Sequence, residues 1–68
     1  MNIYLLNEDG ETFCIRAKTM AEAVTVCENS YLEDRKEEEG DKYDNAGERN
    51  YYHEQVLQSC SLIAELKN

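Results

Sequence analysis

The sequence has no apolar run long enough to cross a membrane, and it is not expected to begin with a signal peptide. Residues 1–6 are followed at once by Asn7, Glu8 and Asp9, so the apolar core that a signal peptide needs is absent. A membrane-spanning helix takes about 20 apolar residues, and the apolar runs here are far shorter. These absences predict a soluble, cytoplasmic protein.

Cysteines are few and lack the spacing of a disulfide framework or a metal site. Cys14, Cys27 and Cys60 are an odd number of widely spaced residues with no CxxC pair among them. Disulfide frameworks use an even set, so the three predict reduced thiols. Structural zinc sites usually take ligands from close pairs on tight turns, which these cysteines and His53 do not supply. We therefore expect no metal ion and no cofactor.

Catalytic and calcium-binding signatures are also missing. The single histidine, His53, has no GxSxG or glycine-rich context, and it is expected to be an exposed residue at the end of a strand. The acidic stretch from Glu39 to Glu48 lacks the D-x-[DN]-x-[DN]-G spacing of an EF-hand loop. With 68 residues, the chain forms one domain at most and has little room for a catalytic pocket. The prediction is a single domain over residues 1–68 that is not an enzyme.

Basic residues are outnumbered about two to one. The chain has 15 Asp and Glu against 7 Lys and Arg, which gives a formal charge of −8. A surface of this charge repels nucleic acid and anionic membranes. It favours a basic protein as the partner.

The first two segments alternate between apolar and polar residues, as half-buried strands do. The pair Asp9-Gly10 separates them, and these residues tolerate the positive φ of a tight reversal. The pattern predicts a β-hairpin. The residues expected on its buried face are Ile3, Leu5, Phe13 and Ile15.

A helix is predicted to follow the hairpin. Thr19 precedes Glu22 by three residues, just before an apolar run, which is the capping-box arrangement at a helix start. Apolar residues then recur every three or four positions, and this stripe, with Val24 and Cys27, is expected to face the sheet. Three successive glutamates oppose the helix dipole, and Gly40 offers a left-handed stop. The helix is expected over about residues 20–36.

The rest of the chain is first polar and then apolar. Residues 37–50 are nearly all polar and contain two glycines, which predicts an exposed, acidic, mobile loop. In the last segment, Cys60 and Leu62 belong to a strand-like alternation, whereas Val56 and Ile63 would also suit a helical stripe. A strand over about residues 54–66 is favoured, because a two-stranded hairpin is marginal alone and a third strand completes a sheet.

These elements predict an α+β fold of order ββαβ. A three-stranded antiparallel sheet would carry one helix packed on one face. The residues expected to form its core are Ile3, Leu5, Phe13, Ile15, Val24, Cys27, Leu62 and Leu66.

Negative charge is concentrated between Glu28 and Glu54. This stretch has ten acidic and four basic residues, so it carries −6 of the formal charge of −8. Tyrosines lie among these charges, and aromatic anchors with electrostatic steering are typical of protein-binding surfaces. The acidic lobe predicted to contact a partner consists of Glu33, Asp34, Glu37, Glu38, Glu39, Asp41 and Asp44 with Tyr31 and Tyr43. The alternative is a solvated helix end beside tyrosines that pack in the core.

A short opening strand, MNIYLL, a second strand, and the segment AKTMAEA leading into a helix together resemble small phage-encoded α+β proteins, among them the acidic anti-CRISPR inhibitors. That group occupies basic nucleic-acid channels of CRISPR effector complexes, often as DNA mimics. The resemblance implies a phage-type inhibitor in the host cytoplasm that blocks nucleic acid by charge mimicry on a CRISPR effector or a similar complex.

A second hypothesis belongs to a different class of protein. An exposed strand edge would let the chain act as a small self-associating structural or regulatory module, with no inhibitory role. The sequence is compatible with a monomer or a weak homodimer. Binding through the acidic lobe should weaken steeply with salt, while apolar association along a strand edge should not.

Overall fold

The computed structural model describes residues 1–66, and it confirms the α+β class and the three-stranded antiparallel sheet. The predicted order ββαβ with a single helix is wrong, because a second helix lies before the last strand. The elements are β1 (Asn2–Glu8), β2 (Glu11–Ala17), α1 (Met20–Glu39), a 3₁₀ turn (Gly40–Lys42), α2 (Asn45–Tyr51), a π turn (Tyr52–Val56) and β3 (Leu57–Glu65).

The predicted hairpin is confirmed. Asp9 and Gly10 have φ angles of 49° and 88°. Positive φ at both central residues is what a type I′ reversal requires, and its twist matches that of the flanking strands. The strands pair with Leu6 opposite Phe13.

The last segment forms a strand, as predicted, and it completes the sheet in the order β2-β1-β3. It pairs antiparallel to β1 with two register shifts. Asn7 joins all three strands, because its Nδ2 donates to Ser59 Oγ (2.7 Å) and its Oδ1 accepts from Thr12 Oγ1 (2.8 Å). The strand begins at Leu57 rather than near residue 54, because the preceding residues form the π turn.

The predicted cap of α1 is confirmed. The backbone N–H of Glu22 donates to Thr19 Oγ1 (3.1 Å), while Glu22 Oε2 accepts from the Lys18 N–H (3.3 Å). The helix ends at Gly40, whose φ is 58°, so it is three residues longer than predicted. The successive glutamates do not end it early, because the Arg35 guanidinium binds two of their carboxylates.

Residues 37–50 are not one loop. They form the last turn of α1, the 3₁₀ turn and most of α2. Side-chain contacts between distant parts of the chain hold α2 against α1: Tyr31 Oη donates to Glu48 Oε2 (3.3 Å), and Arg49 Nη1 donates to Glu28 Oε1 (3.0 Å). The prediction of a loop rested on polar composition alone. Contacts between distant residues leave no local pattern in the sequence, so α2 was missed.

The core uses the other face of β1 from the one predicted. The two-residue turn pairs even-numbered residues of β1 with odd-numbered residues of β2, so Tyr4 and Leu6 lie on the helix side while Ile3 and Leu5 lie on the open face. The buried core consists of Tyr4, Leu6, Ala17, Ala23, Cys27, Tyr52 and Val56, with Ile15 and Val24 packed against it. Phe13 and Leu62, both predicted core residues, are exposed, and Leu66 is half-buried.

Within residues 1–66, no helix is both long and apolar enough to cross a bilayer.

Candidate partner-binding site

The second half of α1 presents the carboxylates that the sequence assigned to a partner. Glu33, Asp34 and Glu37 are exposed, and none of them forms an ion pair with another residue of the described chain. Asp41 lies in the 3₁₀ turn, and Asp44 directly precedes α2; both are exposed. These five positions form the uncompensated part of the acidic lobe.

The other two predicted carboxylates serve the fold. Glu38 Oε2 lies 2.7 Å from Arg35 Nη1, and Glu39 pairs with Nη2 of the same guanidinium. Arg35 Nε also lies 3.4 Å from Glu48 Oε2 on α2. Because three carboxylates surround Arg35, this cation does little to neutralise the remaining acids of α1.

The two predicted tyrosine anchors are half-buried and hydrogen-bonded within the fold. The Tyr31 ring lies 5.2 Å from that of Tyr52, and burial, followed by the charge of Glu48, raises the pKa of the Tyr31 phenol. Tyr43 Oη donates to Asn45 Oδ1 (2.7 Å). Each tyrosine therefore offers only part of its ring to a partner.

Four of the nine predicted site residues border two different concave regions. Tyr31 and Asp34 border a cleft of about 1040 Å³ between the hairpin tip, α1 and α2. Glu33 and Tyr43 border a smaller depression of about 290 Å³. The other five, Glu37, Glu38, Glu39, Asp41 and Asp44, border neither of the two.

The cleft also contains residues that the sequence did not single out. Glu8, Asp9 and Glu11 come from the hairpin tip. Exposed apolar side chains join them: Phe13 (38% exposed), Val26 (47%) and Tyr51 (53%). The sequence did show three acids close to Phe13, but only the fold places them beside α1 and α2.

A buried carboxylate that was counted as part of the negative surface is in fact internal. Glu28 is only 7% exposed. Its Oε1 accepts from Arg49 Nη1 (3.0 Å), and its Oε2 lies 2.5 Å from His53 Nε2. His53 is therefore not a residue at a strand end; it lies in the π turn and joins it to α1. The apolar positions around Glu28 are the sequence signal for its burial.

The three thiols lie in different surroundings. Cys14 is exposed on β2, Cys27 is buried and Cys60 is half-buried, and all are free. Burial, followed by the charge of Glu8, raises the pKa of Cys27 to about 11, so this thiol is protonated at neutral pH and a poor nucleophile. In the part of the chain that the structure describes, no three His, Cys, Asp or Glu side chains are grouped to hold a metal ion.

Comparison of the chain with protein-family models, with curated proteins and with solved structures finds no match.

Proposed function

We propose that this protein is a small acidic inhibitor that occupies a basic nucleic-acid-binding surface of another protein and keeps nucleic acid out. The observation that supports the proposal is the state of the charges on α1. Glu33, Asp34 and Glu37 are exposed without an ion pair in residues 1–66, while Arg35 and Arg49 are bound to carboxylates of the fold. The helix therefore presents net negative charge to a partner.

Charge mimicry provides the mechanism. Carboxylates on successive helical turns are about 5–6 Å apart, and they replace phosphates in a groove that Lys and Arg side chains line. Binding releases the counterions that both surfaces hold, and the bulk of the domain blocks the groove. Binding of this kind needs no cofactor.

A CRISPR effector complex in the cytoplasm of a phage-infected host is the partner that the resemblance to anti-CRISPR inhibitors suggests. Its nucleic-acid channel is positively charged and recognises a backbone rather than a base sequence. A folded acidic surface fits such a channel without any sequence-specific contact.

Displacement of labelled DNA from a CRISPR effector tests the proposal. The protein is titrated into the preformed complex at 50 and at 200 mM salt, and fluorescence anisotropy follows release of the DNA. We expect release at low salt and a clearly weaker protein–effector interaction, measured without DNA, at high salt. The proposal is refuted if the CRISPR effector and the other basic nucleic-acid-binding proteins of the host all keep their DNA at a saturating concentration of this protein.

Self-association is the second candidate, and the exposure of β2 favours it. This strand lies at the edge of the sheet, and most of its residues are exposed, whichever face of the sheet they point to. An exposed edge can pair with a second copy. Sedimentation at increasing concentration, at both salt levels, separates the candidates: a salt-insensitive dimer supports self-association, and a monomer supports the inhibitor.

A further inference from the structure

We propose that the cleft between the hairpin tip, α1 and α2 binds a basic segment of a partner protein, with one large apolar side chain flanked by Lys or Arg. The inference deepens the proposed function and rests on it for the charge of the partner. It adds a second contact surface and states the chemistry of the segment that enters it.

The apolar part of the cleft is the first argument. Phe13 on β2, Val26 on α1 and Tyr51 on α2 are large, exposed side chains from three different elements, and all three border this one cleft. The half-buried Ile15 continues the same surface. Aromatic and aliphatic side chains that converge on a concavity are typical of sites where a partner inserts an anchor residue.

The charges around this apolar surface define the partner. Five carboxylates border the cleft, from Glu8, Asp9, Glu11, Asp34 and Glu48. The one cation there, Arg35, is bound to Glu38, Glu39 and Glu48. Asp9, Glu11 and Asp34 consequently remain available, and they would repel an acidic or anionic segment. Lys or Arg beside the apolar anchor complements them.

The walls of the cleft are held in place before a partner arrives. Tyr31 and Arg35 of α1 both contact Glu48 of α2, and the Tyr52 phenol donates to Glu8 at the end of β1 (2.5 Å). A preformed site costs less conformational entropy on binding than one that must order. The volume of about 1040 Å³ accommodates a short peptide segment rather than a single side chain.

A short peptide probe tests the inference directly. The probe has one tryptophan with three lysines on each side, and it carries a fluorescent dye at one end, so that the anisotropy of the dye reports the probe alone. Two unlabelled peptides serve as competitors. One has alanine in place of the tryptophan, and the other has glutamates in place of the lysines. We expect the tryptophan-and-lysine peptide to bind, and both competitors to be at least tenfold weaker.

Two variants of α1 locate the binding surface. Val26 borders the cleft, whereas Met20 (43% exposed) is similarly accessible on the same helix but does not border it. Val26→Lys and Met20→Lys add the same charge. We expect Val26→Lys to weaken the peptide tenfold or more and Met20→Lys to change it less than twofold, with unchanged circular dichroism in both.

Each other outcome overturns the inference. An alanine peptide as potent as the tryptophan peptide means that the apolar surface contributes nothing, and equal effects of the two variants place the peptide elsewhere. A dimer that Val26→Lys abolishes assigns the cleft to a second copy. Peptide binding without displacement of DNA from any effector leaves the cleft intact and refutes the inhibitor function, so the two failures are distinguishable.

Discussion

The Tyr52 phenol donates a hydrogen bond of 2.5 Å to Oε2 of Glu8 and so joins the π turn to the end of β1. Tyr52 is fully buried, and its ring also packs on Tyr31. The contact brings together residues that are 44 positions apart in the sequence. It fixes one wall of the cleft.

Removing this hydrogen bond should weaken the fold. Tyr52→Phe leaves the ring in the core but removes the phenol that donates to Glu8, so we expect a loss of about 1–2 kcal/mol in the free energy of unfolding. Tyr51→Phe is the matched control, because Tyr51 is exposed and should change stability by less than about 0.5 kcal/mol. Urea denaturation measures both variants. Equal stabilities would contradict the role of the bond.

The assignment of faces on β1 is tested by two neighbouring leucines. Leu6 is fully buried against the helices, whereas Leu5 is half-buried on the open face. We expect Leu6→Ala to cost about 2–5 kcal/mol and Leu5→Ala about 1 kcal/mol. Thermal denaturation shows which variant is less stable. A larger loss of stability for Leu5→Ala would mean that the face with Ile3 and Leu5 is the buried one, as the alternation pattern predicted.

The carboxylate of Glu28 should depend on its two partners. Arg49→Gln combined with His53→Gln leaves a nearly buried carboxylate without a cation, which we expect to cost about 1–3 kcal/mol. Arg16→Gln is the control, because Arg16 is exposed and forms no ion pair in the described residues. Chemical denaturation at neutral pH compares the variants. A double variant as stable as the control would show that Glu28 is solvated.

Stability should fall in alkaline solution. Burial raises the pKa of Cys27 from 9.0 to about 11, and burial also raises the pKa of Tyr52. The folded state therefore holds these protons more tightly than the unfolded state, so their stabilisation is complete below about pH 9 and is lost as pH rises towards the folded-state values. For Cys27 alone the loss between pH 9 and 11 is about 2 kcal/mol.

Cys27→Ala isolates the contribution of this thiol. Its free energy of unfolding should decrease less steeply between pH 9 and 11 than that of the parent, because the alanine does not titrate. Denaturation at several pH values gives both slopes. Parallel curves would mean that Cys27 ionises equally easily in the folded and the unfolded chain.

Local signals predicted the elements that local interactions form. The Asp9-Gly10 turn and the Thr19 cap depend on a few adjacent residues, and both are confirmed. The buried face of β1 was mispredicted because Ile3 and Leu5 fit the alternation as well as Tyr4 and Leu6 do. Only the register across the turn decides between the two sets.

The second helix and the cleft depend on contacts between distant residues. The residues near Gly47 carry no local signal for a helix. The contacts that hold α2 are made by Glu48 and Arg49 with partners on α1, which lie far away in the sequence. The cleft combines residues 8–15 with residues 47–56, and no charge count along the chain unites them. The acidic residues were predicted as a group, but only the three-dimensional structure places Asp34 at the cleft and Glu33 at the smaller depression.

Paired charge reversals on α1 test the central claim most directly. Glu38 is unsuitable because it binds Arg35, whereas Glu33 and Glu37 form no ion pair in residues 1–66. Glu33→Lys with Glu37→Lys is compared with Glu54→Lys and Glu65→Lys, which make the same change of charge at exposed positions outside the acidic lobe. Single exposed charges contribute only about 0–1 kcal/mol, so the reversals are combined.

The readout is the protein concentration that displaces half of the labelled DNA from a CRISPR effector. We predict that reversal at Glu33 and Glu37 raises this concentration about tenfold or more, while reversal at Glu54 and Glu65 raises it less than about threefold, with both variants folded by circular dichroism. Equal displacement by the two variants would contradict the claim that the carboxylates of α1 are the binding surface.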